Sequence, residues 1–324
     1  MKLGTIGTNW ITSAFIESAK EHGELTLQSV YSRTGVKAKD FAERHGAKEY
    51  FTSLEEFVKS DIDCVYIASP NSLHFEQAML CLRHKKHVIC EKPIFSNRKE
   101  LDQAFAAAEE NGVFLIEAMR NIHMPGFKVL RENLEKAGKL RGSVLNYSKY
   151  SSRYDNVRKG EEPNIFSLNY SGGALVDLGV YPLALAVALF GEPVDATYYP
   201  SIIRTGVDGG GTLVLRYSDF ICTILCSKIA TSYNPSEIQG EEGTFVIDDL
   251  GTLSTITWMD PAGEHILTEK HQHLDMYYEV ESFVNMIKNN DQLTYKRLKE
   301  ISQQVLAITE KVRKDCGIIY AADR

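Results

Sequence analysis

With 324 residues, 44% of them hydrophobic and 24% charged, the chain is long enough to bury two cores and has the make-up of a globular protein rather than a disordered or fibrous one. The formal net charge is −7, and Lys and Arg are dispersed rather than gathered into a stripe. That excludes the electrostatic footprint of a nucleic-acid binder and leaves small-molecule partners as the expectation. No apolar run is read as reaching the roughly 20 residues of a membrane span, and "MKLGTIGTNW" reads as a strand rather than a cationic leader, so no membrane partner and a cytoplasmic location are expected.

From residue 1 to about 119 the chain alternates β-rich runs with amphipathic helical runs. The strand candidates are "KLGTIG", "LTLQSVYS", "DCVYIAS", "HVICEK" and "VFLIEAM"; the helical patterns between them are Trp10 to Glu21, "VKAKDFAERHG", "LEEFVKS", "SLHFEQAMLCLRHKK" and "NRKELDQAFAAAEENG". Strands alternating with helices predict parallel pairing through right-handed crossovers, hence a doubly wound Rossmann-type sheet that takes ligand at the carboxyl ends of its strands.

After residue 120 the pattern changes. A helix, "PGFKVLRENLEKAGK", leads to the strand "GSVLNYSKYSS", a polar loop and the apolar helix "GALVDLGVYPLALAVALFG". Adjacent strands follow ("DATYYPS", "GTLVLRYS", "FICTILCSK", "EEGTFVIDD", "GTLSTITWMD", "HILTEKH"), then the helices "DMYYEVESFVNMIKN" and Lys296 to about Arg313. Strands joined by turns predict an α+β domain with a mostly antiparallel sheet. The expected division is therefore 1–119 and 120–324, fused without a Pro- or Ser-rich linker, with the C-terminal helix free to pack back on the first domain.

The six cysteines do not read as a metal site or a disulfide framework. Cys64, Cys81 and Cys90 lie in apolar patterns that suit reduced core thiols. Cys222 and Cys226 face the same side of a strand but stand about 13 Å apart along it. His271 and His273 in "HQH" lack the surrounding spacings of a zinc site, so no metal is expected.

The first strand-to-helix turn, "GTIGTNW", has Asn9 and Thr12 where a Gly-x-Gly-x-x-Gly loop would have glycine. Gly7 can tighten the turn, and Asn9 tolerates a glycine-like backbone, which would leave the N–H groups of Trp10 and Ile11 to meet a pyrophosphate at the helix N-terminus. A strand-to-helix turn with no ligand is the alternative for this loop alone. The second strand ends "VYSRTG" with no acid to bond ribose hydroxyls. Ser32, Arg33 and Thr34 there favour the 2′-phosphate of NADP(H) over NAD(H), unless Arg33 is a solvated surface residue.

Further motifs in order make a more specific pattern. "SPNSLH" after the third parallel strand, "EKP" after the next, "SGGALVDLGVYPLALAVALFG" and "EIQGEEGTFVID" together resemble the glucose–fructose oxidoreductase, inositol dehydrogenase and MocA family over nearly the whole chain. The resemblance implies a Rossmann domain, a C-terminal α+β domain with a large open sheet, a nicotinamide cofactor, and homodimers or homotetramers through that sheet. By position it implies that Gly7, Thr8, Asn9, Trp10 and Ile11 line the phosphate loop, that Ser69, Pro70, Asn71 and His74 lie along the cofactor, and that Glu91, Lys92 and Pro93 stand at the nicotinamide end.

Hydride transfer between nicotinamide and a hydroxyl or carbonyl carbon needs a proton carrier within hydrogen-bond reach of the oxygen. Lys92, at a strand's carboxyl end, is one candidate and Tyr181 another. Asp177, four residues before Tyr181 on one helix face, could orient substrate or the Lys92 ammonium. The alternatives are a surface lysine, a packed core tyrosine, and an aspartate that only caps its helix. Tyr at position 181 resembles the branch of glucose–fructose oxidoreductase and dihydrodiol dehydrogenases, which tilts towards NADP and cyclic sugars or vicinal diols. "EAMRNIHMP" departs from that branch, placing Arg120 where an aromatic is usual, so Arg120 and His123 either contact ligand or tie the domains together. The expected activity is an NADP(H)-dependent oxidoreductase acting on a sugar, polyol, diol or related carbonyl; a non-catalytic dinucleotide-binding sensor of the same fold is the alternative.

Overall fold

The computed structural model describes residues 1–268 and 271–324, so the end of the strand candidate "HILTEKH" lies partly outside the described residues. The chain forms two compact units, one of Met1–Ala118 with His273–Gln303, the other of Met119–Gln272 with Gln304–Arg324.

In the first unit the expected alternation is present: β1 (Lys2–Ile6), α1 (Trp10–His22), β2 (Thr26–Tyr31), α2 (Gly35–His45), β3 (Glu49–Phe51), α3 (Leu54–Lys59), β4 (Cys64–Ile67), α4 (His74–Arg83), β5 (His87–Glu91), α5 (Arg98–Asn111) and β6 (Leu115–Ala118). The short β3 was not visible as a strand pattern, because "EYF" gives neither a long apolar run nor an alternation. All six strands pair in parallel in the order β3-β2-β1-β4-β5-β6. Strand order reverses between β1 and β4, and in such sheets ligands bind at the carboxyl ends of the strands at that switch point. The central strands are apolar throughout because both sheet faces are covered: Cys64, Val65, Tyr66 and Ile67 are fully buried. Phe15 of α1 stacks on Tyr66 at 3.8 Å between ring centroids, fixing that helix on the sheet.

The second unit contains α6 (Pro125–Asn133), β7 (Leu140–Ser148), α7 (Tyr154–Arg158), α8 (Val180–Phe190), β8 (Asp195–Ile202), β9 (Asp208–Arg216), β10 (Ile221–Ser227), β11 (Ser236–Gly240), β12 (Thr244–Ile247), β13 (Ile256–Asp260) and β14 (Gly263–Thr268). Helix α9 (Tyr277–Asn289) belongs to the first unit and packs on α1; α10 (Gln292–Asp315) is shared between the two sets of residues. The eight-stranded sheet runs β14-β13-β12-β11-β7-β10-β9-β8 and is antiparallel except for β7 beside β10. Cys222, Ile224 and Cys226 of β10 point inward and are buried. All six cysteines are free thiols, and the described residues hold no group of three metal-ligating side chains.

One segment corrects the reading that no apolar run is long enough for a membrane. Leu168–Phe190, including α8, reaches that length and a mean hydropathy of 1.9, but 67% of its most apolar window is buried inside the unit, as in a core helix. Its length was missed because the serine and glycines of "NYSGG" break the apolar pattern.

In the first unit the buried acid Glu117 sits in the otherwise apolar β6. One carboxylate oxygen accepts the Ile94 N–H at 3.0 Å, tethering the turn that follows β5. Burial pushes its pKa from 4.5 up to about 6, against the opposing hydrogen bonds from Ser302 and Ile94. The folded state therefore holds its proton more tightly than the unfolded chain, and this group's contribution to stability declines as pH rises from about 4.5 to about 6. Glu117→Gln is expected to gain roughly 2 kcal/mol relative to wild type across that window. Paired denaturation curves at pH 4.5 and 7 check this; a mutant-to-wild-type difference that stays constant contradicts it.

Candidate functional site

In the first unit the β1–α1 turn is built around one carbonyl. Gly7 has φ +112, and a Cβ there would lie 2.6 Å from the Ala68 oxygen, so only glycine fits. The same oxygen accepts a 2.8 Å hydrogen bond from Asn9 Nδ2. Asn9 Oδ1 accepts the N–H groups of Ile11 and Thr12, each at 3.1 Å, and the Thr12 hydroxyl at 3.2 Å. Two expectations are corrected here. Asn9 is not glycine-like but extended, at φ −95 and ψ −179, because it acts as the N-cap of α1. The Ile11 N–H is consequently engaged by that cap. The exposed end of α1, with Thr8 half-buried and Asn9 and Trp10 open to solvent, still carries the positive end of the helix dipole at the sheet's switch point. The residues present thus fit a dinucleotide phosphate, with asparagine acting as cap rather than as a glycine substitute.

The end of β2 presents a half-buried Ser32 followed by exposed Arg33 and Thr34, with no carboxylate among them. After β4 come Ser69 and Pro70, half-buried, and a short 3₁₀ turn from Asn71 to Leu73. Ser69 Oγ donates to Gln77 at 2.7 Å. His74 is fully buried. Its two ring nitrogens face the Pro93 oxygen at 3.1 Å and the Ser69 oxygen at 2.9 Å. Burial pushes its pKa down, although the carbonyls favour the charged ring. His74, expected along the cofactor, instead joins the loop after β4 to the turn after β5, since an enclosed ring has no face left for ligand.

At the carboxyl end of β5, Glu91 accepts the Tyr66 hydroxyl at 2.5 Å and the Lys92 N–H at 3.2 Å. Its carboxylate fixes the backbone from which the half-buried Lys92 side chain projects. The Lys92–Pro93 peptide bond is cis. Lys92, Glu91 and the Glu117 tether thus occupy one end of adjacent strands, where a doubly wound sheet takes ligand.

In the second unit "SGG" precedes the segment carrying Asp177 and Tyr181. Gly173 has φ +137, and a Cβ there would lie 2.1 Å from Asp208 Oδ1. Asp208 is buried and accepts both the Leu175 N–H and the Tyr198 hydroxyl at 2.7 Å, satisfying an open N–H at the start of the segment. Burial raises the Asp208 pKa against those hydrogen bonds. The expected continuous α-helix begins with a π turn, Leu175–Gly179, before α8. Gly179 leaves room for the wider turn against β10, where a Cβ would stand 3.1 Å from Cys226 Sγ. Such turns recur at functional sites.

Asp177 and Tyr181 are each half-buried. Asp177 forms an ion pair with Lys228. Tyr181 meets Tyr147 edge-on at 5.2 Å between centroids, and its carbonyl accepts Asn121 Nδ2 at 2.9 Å. Arg120 donates through Nε to the Gly251 carbonyl at 3.2 Å, a tie within this unit.

Lys228, Glu117, Asp208 and Tyr147 were missed by sequence reasoning. Lys228 had a readable signal: it continues the inward phase of Cys222, Ile224 and Cys226, where an unpaired ammonium would not be buried. Glu117 had one too, as an acid inside an apolar strand. Asp208 is out of phase with inward Leu213 and Leu215, so alternation does not reveal it.

Residues 1–119 match the oxidoreductase family with an NAD-binding Rossmann fold, and residues 138–246 match the GFO/IDH/MocA C-terminal domain. The chain is 44% identical over 327 residues to scyllo-inositol 2-dehydrogenase (NADP(+)) IolU of Bacillus subtilis (strain 168), covering 100% of this chain and 99% of that protein. It is 42% identical to the uncharacterized oxidoreductase YgjR of Escherichia coli (strain K12), covering 100% and 98%. It is 30% identical over 248 residues to a trans-1,2-dihydrobenzene-1,2-diol dehydrogenase of Xenopus tropicalis, covering 75% and 72%. Among solved structures, KijD10, a 3-ketoreductase from Actinomadura kijaniata in complex with NADP and TDP-benzene, aligns with a TM-score of 0.84 at 21% identity over 97% of both chains, a likeness of fold. The family match across both units and the full-length relatives agree with the ordered motifs: the chain belongs to the Gfo/Idh/MocA family of NAD(P)-dependent oxidoreductases.

Proposed function

We propose that this oxidoreductase is NADP(H)-dependent and transfers hydride between nicotinamide and a sugar, polyol, diol or related carbonyl, with Lys92 and Tyr181 as proton-transfer groups. The observation that carries the reading is the acid-free end of β2, where Ser32, Arg33 and Thr34 offer a cation and two hydroxyls. A 2′-phosphate matches that set and a bare ribose diol does not. The name of the 44% identical Bacillus protein, an NADP(+) dehydrogenase of an inositol, supports both cofactor and substrate class.

The nicotinamide, when bound, supplies the hydride acceptor or donor. Gly7 and the capped end of α1 receive the pyrophosphate, while Arg33 pairs with the 2′-phosphate. In the oxidative direction Lys92 or Tyr181 takes the proton from the reacting hydroxyl; in the reductive direction it returns that proton to the carbonyl oxygen. Glu91 keeps the Lys92 backbone fixed by accepting its N–H. The proposed assembly is a homodimer or homotetramer through the second unit's sheet, whose outer face exposes Val144 (36%), Tyr199 (65%) and Ile221 (51%).

Lys92→Ala and Tyr181→Phe are each expected to lower kcat by roughly 100-fold or more while NADPH affinity, read by fluorescence titration, stays within about twofold. Full turnover by both variants contradicts the proton-transfer assignment, and Lys92→Ala with its biological effect intact favours the sensor alternative. Arg33→Ala is expected to weaken NADPH binding by roughly 10- to 100-fold and leave NADH binding unchanged. Equal loss for both cofactors contradicts the 2′-phosphate assignment.

A further inference from the structure

We propose that Lys228 is a positioning residue that holds Asp177 as an ionised acceptor for a substrate hydroxyl, so that Asp177 orients substrate and does not carry the reaction's proton. This inference rests on the proposed oxidoreductase activity and assigns a role within it. Both residues lie in the second unit.

Three features fix Lys228. Its backbone is held on both sides, with its N–H donating to Gly209 at 2.8 Å and its carbonyl accepting from Ser151 at 2.9 Å. The inward phase of β10 carries its side chain into the unit, where it is 5% exposed. Its ammonium lies 5.5 Å from the centre of the fully buried Phe166 ring. Gly179 resting on Cys226 brings the π turn against β10 in the register that sets Asp177 beside Lys228.

The asymmetry of the pair gives it a direction. Lys228 is enclosed, whereas the Asp177 side chain is 25% exposed. A buried ammonium is costly unless a charged partner stands beside it. The Lys228 ammonium beside it favours the carboxylate over the neutral acid, so Asp177 is a poor proton carrier. The carboxylate, paired from its enclosed side and 25% exposed, presents acceptor oxygens to a hydroxyl arriving from the exposed side. Lys228 thereby acts on substrate only through Asp177.

The test uses the whole enzyme with NADP(+) and scyllo-inositol or another polyol that wild type turns over. Lys228→Met keeps the apolar stem and removes the charge; it is expected to raise KM about tenfold or more, with a smaller fall in kcat and unchanged NADPH affinity. Lys228→Arg is expected to restore most of the KM. The decisive comparison is Asp177→Asn with and without Lys228→Met. The double variant removes both charges and keeps the proposal testable even if Lys228→Met alone folds poorly, and its kcat/KM is expected to equal that of Asp177→Asn within about twofold. Independent, multiplying losses would overturn the proposal, as would an unchanged KM in folded Lys228→Met. If wild type neither binds nor oxidises any polyol or diol, and reduces no related carbonyl, the underlying activity fails and this role with it; an active wild type with independent losses overturns this role alone.

Discussion

The carbonyl oxygen of Ala68 is the point on which the cofactor end of the first unit turns. Gly7 passes so close to it that no side chain fits, and Asn9 donates to it while capping α1 with its other side-chain atom. Strand β1, helix α1 and the loop after β4 are therefore locked together at the reversal of strand order. His74 extends the lock by joining the Ser69 and Pro93 carbonyls, so the turn bearing Lys92 is tied to the same framework. Glu91 and Glu117 complete it through the backbone N–H groups of Lys92 and Ile94. These contacts fix the backbone around the turns that bear Gly7 and Lys92.

The second unit uses the same device with different chemistry. A buried carboxylate, Asp208, takes the first free N–H of the segment carrying Asp177 and Tyr181 and crowds Gly173, while the Ile165 backbone crowds Gly172, so the fold requires both glycines. A second buried charge, Lys228, meets Asp177 from β10. Asp208 and Lys228 are tolerated in the interior because each has a partner. Tyr147 packs edge-on against Tyr181, whose carbonyl accepts from Asn121.

Much of this was legible in the sequence, for physical reasons that differ by residue. The alternation of apolar runs gave away five of the six parallel strands, whereas "EYF" was too short and too polar to show. The "SGG", "EKP" and "SPN" motifs located the loops correctly because their glycines and prolines answer to local backbone constraints. Asn9 was placed correctly in the turn but assigned the wrong conformation: left-handed tolerance and N-capping compete in asparagine, and the first free N–H groups of α1 decided the contest. Lys228 and Glu117 were readable as charges inside inward or apolar patterns. Asp208 was not, since its partners Leu175 and Tyr198 are 33 and 10 residues distant and only the folded sheet brings them together.

The central claim is that the asparagine-capped end of α1 receives the pyrophosphate of a nicotinamide dinucleotide. Asn9→Asp tests it most directly when read against Asn9→Ser: both keep a side-chain cap and both lose the amide donor to Ala68, but only aspartate sets a negative charge where the phosphates would lie. Fluorescence titration with NADPH, alongside a thermal melt, is predicted to show a fold that survives and an affinity that falls at least roughly tenfold below that of Asn9→Ser, the measure of one lost charge-assisted contact. An Asn9→Asp enzyme that binds NADPH as tightly as the Asn9→Ser enzyme would contradict the account.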